Sequence, residues 1–190
     1  MADDELAGLR EVLDGHRRRG YLGPVSTEDA LDHSRAVAGV FPSGSRVLDL
    51  GSGGGLPGLV LAVFRPDLCV ELLDLRERRT DALRQAVGRL QLQNRVTVRT
   101  GDITRLATTT YAGAFDGMTA RSFGPLPQAL RWGCQVVRPD GVVAVSCPPD
   151  LDVANVEVPD GLVWSRTVGP WSIWCRVTPP QDDVPRETLT

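Results

Sequence analysis

The chain is 190 residues long, 42% hydrophobic and 24% charged, which fits one domain whose core needs no covalent staples. Its formal net charge of −3 is unfavourable for a nucleic-acid binder at the level of the whole molecule, and its Lys and Arg positions are all arginine. The four cysteines, Cys69, Cys134, Cys147 and Cys175, lie far apart with no C-x-x-C pair, which argues against a disulfide frame or metal site and for reduced core thiols in a cytoplasmic protein.

The start, Met1-Ala2-Asp3-Asp4-Glu5, is acidic where a signal peptide needs basic residues, and no run is apolar and long enough to span a membrane. Leu6, Leu9, Val12 and Leu13 recur at helical spacing, so residues 3–19 are predicted as an amphipathic helix. Its acids come first and its arginines last, an order that suits the helix dipole. The end of that helix, His16-Arg17-Arg18-Arg19, is one of two basic clusters, the other being Arg76-Glu77-Arg78-Arg79. A local basic rim for phosphate and a solvated helix end both account for them. Gly20, Gly23 and Pro24 break the helix, and Ser26 opens a second, running to about Val40 with Glu28 and Asp29 in its first turn.

The stretch from Arg46 to Gly58, RVLDLGSGGGLPG, organises the rest. Val47 to Leu50 reads as a buried strand, Gly51-Ser52-Gly53-Gly54-Gly55 as a tight turn, and Pro57 as the first residue of a helix that continues through Phe64. Strand, glycine turn and buried helix make the first half of a βαβ nucleotide-binding unit. A hydride-transfer fingerprint, G-x-G-x-x-G, can be forced on Gly53, Gly55 and Gly58, but a lone match of that kind is weak. Its first glycine should leave the strand directly; here that residue is Gly51, and the third position then falls on Leu56. Asp49, two residues before Gly51, completes instead a strand-Asp-x-Gly-x-Gly-x-Gly pattern that resembles S-adenosyl-L-methionine (AdoMet) sites. In such sites the acid faces the cofactor's amino group and the glycines pass under the adenosine.

Cys69 to Asp74 is the second strand, and an acid ending it, about 20 residues past the glycines, is placed to bond ribose hydroxyls. Residues 77–92 form a helix with Ala82, Leu83, Ala86, Val87 and Leu90 on one face and Arg78, Arg79, Arg84 and Gln91 wet. Arg95 to Arg99 is a third strand, followed by Gly101-Asp102-Ile103, a corner that grips adenine in many AdoMet enzymes. Phe115 to Arg121 is the fourth strand, Leu126 to Val137 a helix, Arg138-Pro139-Asp140-Gly141 a turn, and Val142 to Cys147 the fifth strand. Leu162–Val168 and Trp171–Val177 then form a hairpin around Gly169-Pro170, with its three tryptophans read as packing residues. An antiparallel terminal hairpin on a parallel sheet distinguishes class I methyltransferases from dehydrogenases. Residues 179–190 are polar and proline-bearing and read as a disordered tail.

VLDLGSGGGLPGLVLAVFRPDLCVELLD resembles the core of the GidB family, bacterial methyltransferases that modify guanine N7 of 16S ribosomal RNA. The likeness runs from about Gly20 to Gly141. It implies an α/β, Rossmann-like class I fold: a mostly parallel seven-stranded sheet, an N-terminal helical cap over residues 1–41 and a core over 46–178, all one domain. It implies AdoMet as cofactor, bound by Asp49, Gly51, Ser52, Gly53, Gly55, Leu56, Asp74, Asp102, Ile103 and Arg121. It further implies the small ribosomal subunit as partner, with no membrane, no metal and a monomeric, cytoplasmic protein. Ala120-Arg121-Ser122 matches the family's signature at the end of the fourth strand, where Arg121 would pair with the cofactor's carboxylate or an RNA phosphate and so position the reactants. Asp32-His33 stands where the family carries an Arg-His pair, with His33 read as a cap-packing residue.

Two departures bear on the substrate. The corner after the third strand is Asp102-Ile103-Thr104, closer to the general AdoMet pattern than to the family's basic-apolar-Glu. After the fifth strand the family carries a Lys-Gly pair, and here stands Cys147-Pro148. Guanine N7 offers a lone pair with no proton to remove, so alignment of nucleophile, methyl and sulfur can carry catalysis without an acid–base pair. Other readings stay open: RNA cytosine-C5 methylation through Cys147, a small-molecule acceptor, or a non-catalytic AdoMet-binding module on the ribosome.

Overall fold

The structure, a computed structural model, describes residues 3–178; the expected tail at 179–190 lies outside them. Seven strands form one sheet in the order β3-β2-β1-β4-β5-β7-β6. They are β1 (Arg46–Leu50), β2 (Cys69–Asp74), β3 (Val96–Thr100), β4 (Phe115–Ala120), β5 (Val137–Ser146), β6 (Leu162–Val168) and β7 (Trp171–Arg176). β1 to β5 run parallel, while β7 inserts antiparallel between β5 and β6. The order reverses between β1 and β4, where β1 is flanked by β2 on one side and β4 on the other. Ligands of open α/β sheets bind at that switch, beyond the carboxyl ends of the strands.

Alternation along each strand divides the core. Val47 faces one side with Leu59, Leu61, Leu72 and Leu83, whereas Leu48 and Leu50 face the other with Met118, Leu130 and Trp174. The first side is covered by the helices α1 (Asp3–Arg18), α2 (Thr27–Arg35), α3 (Gly58–Phe64) and α4 (Glu77–Arg89). The second is covered by α5 (Ile103–Leu106) and α6 (Leu126–Val136). Helices on both faces explain why β1 is buried continuously from Val47 to Leu50 rather than at alternate positions.

Four expectations shift. The second helix stops at Arg35 and gives way to a 3-10 turn at Ala38–Val40, which turns Val37 and Val40 into the core. The predicted turn 138–141 lies within β5: Val137 already pairs with Phe115, and the register then shifts before Val142 pairs with Gly117. Asp140 takes the left-handed conformation there, at φ 64°. Trp171 and Trp174 are buried as expected, but Trp164 is 44% exposed, because it stands on edge strand β6 rather than on the enclosed β7. The cysteines are not core thiols: Cys69 is exposed and the other three are half-buried. Among the described residues no helix is long and apolar enough to cross a membrane.

Candidate functional site

The loop after β1 is wired to its surroundings through backbone groups. The N–H groups of Gly51 and Ser52 both donate to the Leu73 carbonyl at 2.9 Å, and Gly53 N–H donates to Asp74 Oδ2 at 2.9 Å. Gly51, Gly53 and Gly55 have φ of 73°, 54° and 98°, the left-handed region where a side chain is strained. Closeness matters as much as conformation. A Cβ on Gly51 would meet the Phe123 ring at 2.6 Å, and one on Gly54 would meet Leu22 at 2.5 Å. The loop is therefore a bare backbone shelf pressed between the exit of β4 and the segment that follows α1.

Asp49 lies beneath that shelf rather than on it. It is 0% exposed, accepts Gly58 N–H at Oδ2 and the Thr119 hydroxyl at Oδ1, each at 3.1 Å, and thereby ties β1 to the start of α3 and to β4. Burial pushes its carboxyl up to about 6, against the lowering effect of those hydrogen bonds. Gly58 has to be glycine for this approach, since its Cβ would stand 2.5 Å from Asp49 Oδ2. Asp74 is also buried, at 5% exposure. Its Oδ1 accepts Arg76 N–H at 2.9 Å, and Arg79 reaches its Oδ2 at 3.5 Å. Arg79, expected on the wet face of α4, folds back onto this acid instead.

A cavity of about 280 Å³ opens above the shelf, at the carboxyl ends of β1 and β4. Of the expected site residues it brings together Gly51, Ser52, Gly53, Leu56 and Arg121. Gly55 lies below, where a Cβ would meet Leu59 at 2.4 Å, and Asp74 borders the cavity through Gly53 and Arg79. Asp102 and Ile103 do not line it. Asp102 caps α5 by accepting Thr104 N–H at 2.9 Å, and Ile103 is buried in the core of the second face. Arg121 is half-buried with Nη1 buried and unpartnered. Burial lowers its pKa, opposed by the charge of Asp49.

The cap contributes what the sequence reading missed. His16, read as part of a basic cluster, is 3% exposed, and its Nδ1 lies 2.8 Å from the Gly54 carbonyl. Arg17, Tyr21 and Leu22 line the cavity, so α1 and the turn after it form its roof. The signal was present in the pattern: Leu9, Leu13 and His16 fall on one helical stripe, which marks His16 as inward while Arg18 and Arg19 stay exposed. His33 packs edge-on against Trp171, with ring centroids 5.3 Å apart, and its Nε2 lies 2.9 Å from Ser146 Oγ.

A second cavity of about 360 Å³ adjoins the first through Ser122 and is lined by Phe123, Leu126, Ser146, Cys147 and Leu151. Cys147 Sγ donates toward the Val145 carbonyl at 3.4 Å, and burial raises its thiol pKa, both of which work against a thiolate at neutral pH.

In solved structures the same architecture recurs in a SAM-dependent O-methyltransferase from Thermotoga maritima (TM-score 0.59, 16% identity, covering 90% of this chain and 73% of that one). It recurs also in an O-methyltransferase family protein from Burkholderia thailandensis (TM-score 0.58, 16% identity, 82% and 57% covered). These likenesses establish the class I methyltransferase fold. In sequence, the ribosomal RNA small subunit methyltransferase G of Salinispora tropica is 42% identical over 132 residues, 65% of this chain and 54% of that protein. Its counterpart in Acidothermus cellulolyticus is 38% identical over 129 residues, 66% of this chain and 55% of that protein. The chain thus spans little more than half the length of these relatives. The family model described as rRNA small subunit methyltransferase G matches residues 26–146, from the opening of α2 to the end of β5, and the chain belongs to that family, GidB.

Proposed function

We propose that the chain is an AdoMet-dependent methyltransferase that transfers a methyl group to guanine N7 of 16S ribosomal RNA, acting as a cytoplasmic monomer. The observation that carries the reading is the glycine shelf with the unpartnered Arg121 guanidinium nitrogen beside it, at the switch point of the sheet. A buried guanidinium nitrogen without an acceptor at the edge of a cavity is a group that a ligand's anion can satisfy. Gly51, Gly53 and Gly54 bring backbone without side chains to the cavity wall, which suits a flat adenosine lying on backbone. Residues and cofactor therefore fit.

AdoMet bound there supplies a sulfonium methyl, open to in-line displacement by an acceptor lone pair. Gly51, Ser52 and Gly53 would carry its adenosine side and Arg121 its methionine carboxylate. Asp49 would act through the loop it holds, keeping Gly58 and the shelf in place. Asp74 would take the ribose hydroxyls once Arg79 yields. The adjoining cavity, reached past Ser122, would receive the acceptor base, with Cys147 and Pro148 on its wall where the family carries the Lys-Gly pair. Neither cavity needs a general base for N7. Orientation alone can supply about 7–11 kcal/mol of such a barrier.

The test is transfer of radiolabelled methyl to intact small subunits, to naked 16S RNA and to small-molecule acceptors, followed by chain scission at 7-methylguanine. Label on RNA that resists this scission would overturn the N7 assignment. Cofactor binding without label on any acceptor would favour the non-catalytic module.

A further inference from the structure

We propose that Arg17, on the N-terminal helix, is a second carboxylate clamp of the cofactor cavity, held in position by Asp14. The inference rests on the AdoMet reading above and deepens it. Arg17 lines the cavity together with Arg79, Arg121 and the glycine shelf. Its Nη1 donates to Asp14 Oδ1 at 3.1 Å, while its Nε and Nη2 are buried and have no partner.

Those two atoms form one edge of the guanidinium, the edge that grips both oxygens of a carboxylate at once. The chain uses that edge elsewhere. Arg10 Nε and Nη2 donate to the two oxygens of Glu28 at 2.7 and 3.1 Å, and Arg65 Nε and Nη2 donate to the two oxygens of Asp67 at 2.8 and 2.6 Å. Arg17 lines the cavity with that same edge buried and no carboxylate in it. The pairing agrees: Arg79 is taken up by Asp74 and Asp49 is sealed below, while Asp14 occupies only Nη1 of Arg17, so the Nε–Nη2 edge of Arg17 and Nη1 of Arg121 remain without an acceptor.

Asp14 sets the fork's direction. Its Oδ1 also accepts the Thr27 hydroxyl, which ties α1 to the start of α2 and prevents the Asp14–Arg17 pair from swinging as a surface pair would. Because Nε and Nη2 are buried and Arg17 shares its cavity with Tyr21 and Leu22, the carboxylate of a small ligand suits the fork better than a phosphate of an RNA strand, which would have to enter beneath those two residues. Arg17 lies outside the stretch 26–146 that matches the family model, so this clamp belongs to the chain's own N-terminal segment.

Calorimetry with two ligands tests the assignment: S-adenosylhomocysteine, and 5′-methylthioadenosine, which keeps the adenosine thioether but has no carboxylate. Arg17→Ala should weaken S-adenosylhomocysteine roughly 10- to 100-fold, the effect of losing a charge-assisted hydrogen-bonded pair, and leave methylthioadenosine within about twofold. Arg17→Lys, which keeps the charge and loses the fork, should recover only part of the loss. Asp14→Ala should show the same selective loss at smaller size, a discrimination that a merely structural role would not produce. Equal weakening of both ligands, or none, overturns the clamp. So does unchanged S-adenosylhomocysteine affinity combined with a salt-sensitive loss of methylation, which would assign Arg17 to an RNA phosphate. A wild-type protein that binds neither ligand overturns the cofactor reading itself and is distinct from either of those results.

Discussion

Asp49 is the residue at which motif and structure differ most usefully. The pattern of strand, acid and spaced glycines marks it as a site residue, yet the side chain is sealed and serves the loop from below. That placement has a pH signature. An acid whose folded-state pKa is raised from 3.8 to about 6 binds its proton more tightly folded than unfolded, so it favours folding below the unfolded value. That contribution is lost as pH rises between those two values. Asp49→Asn keeps an oxygen for Gly58 N–H and an amide for the Thr119 hydroxyl but cannot ionise. The wild type should therefore lose stability relative to Asp49→Asn from pH 4 to pH 6, by a few kcal/mol at most, since a tenfold difference in proton affinity between folded and unfolded chains is worth about 1.4 kcal/mol. Urea unfolding of both proteins across that range measures it, and parallel curves would mean that Asp49 titrates normally. Residue type and spacing made the glycine shelf legible because φ above zero leaves a mark in composition. Burial of Asp49 left none, since nothing local to Leu48-Asp49-Leu50 says which neighbours close over it.

At the scale of elements, the helices and strands were legible from periodicity and the long-range seats of their side chains were not. Amphipathicity told that α1 buries Leu9 and Leu13, but not that the face so formed lands on α3 and α4 and carries His16 to Gly54, 38 positions away. Likewise the packing role expected of the hairpin tryptophans holds for Trp171 and Trp174 and not for Trp164, because only the strand order reveals that β7 is enclosed and β6 is the edge. The cap is thus part of the site, and His16 is its fastening. Burial lowers the His16 pKa, with the Gly54 carbonyl opposing, so its contribution is complete above the usual value of 6.5 and is lost as pH falls below it. His16→Ala should cost about 1–3 kcal/mol at pH 7.5, from the vacated space and the unpaired carbonyl. The gap between wild type and variant should narrow at pH 5.5. Chemical denaturation at both pH values reads this directly, and a gap that widens in acid would mean that His16 is held as the cation.

At the scale of the whole molecule, the cavity over the glycine shelf is enclosed from three directions: the sheet's switch point below, the exit of β4 beside it, and the turn after α1 above. A ligand that fills it touches both the cap and the sheet, so its binding energy opposes the separation of one from the other as well as global unfolding. Binding to the folded state alone raises stability by about 2.7 kcal/mol at a ligand concentration one hundred times the dissociation constant. For a domain of this size that corresponds to a rise in melting temperature of roughly 5–10 °C. S-adenosylhomocysteine should produce this rise and NAD should not, because the shelf is the strand-Asp-x-Gly-x-Gly-x-Gly form and the sheet ends in the β6–β7 hairpin. The rise should shrink in Gly54→Ala, whose added Cβ would stand 2.5 Å from Leu22 and lift the roof off the shelf. A melting temperature raised by NAD and unmoved by S-adenosylhomocysteine would return the glycine loop to the dinucleotide fingerprint on Gly53, Gly55 and Gly58.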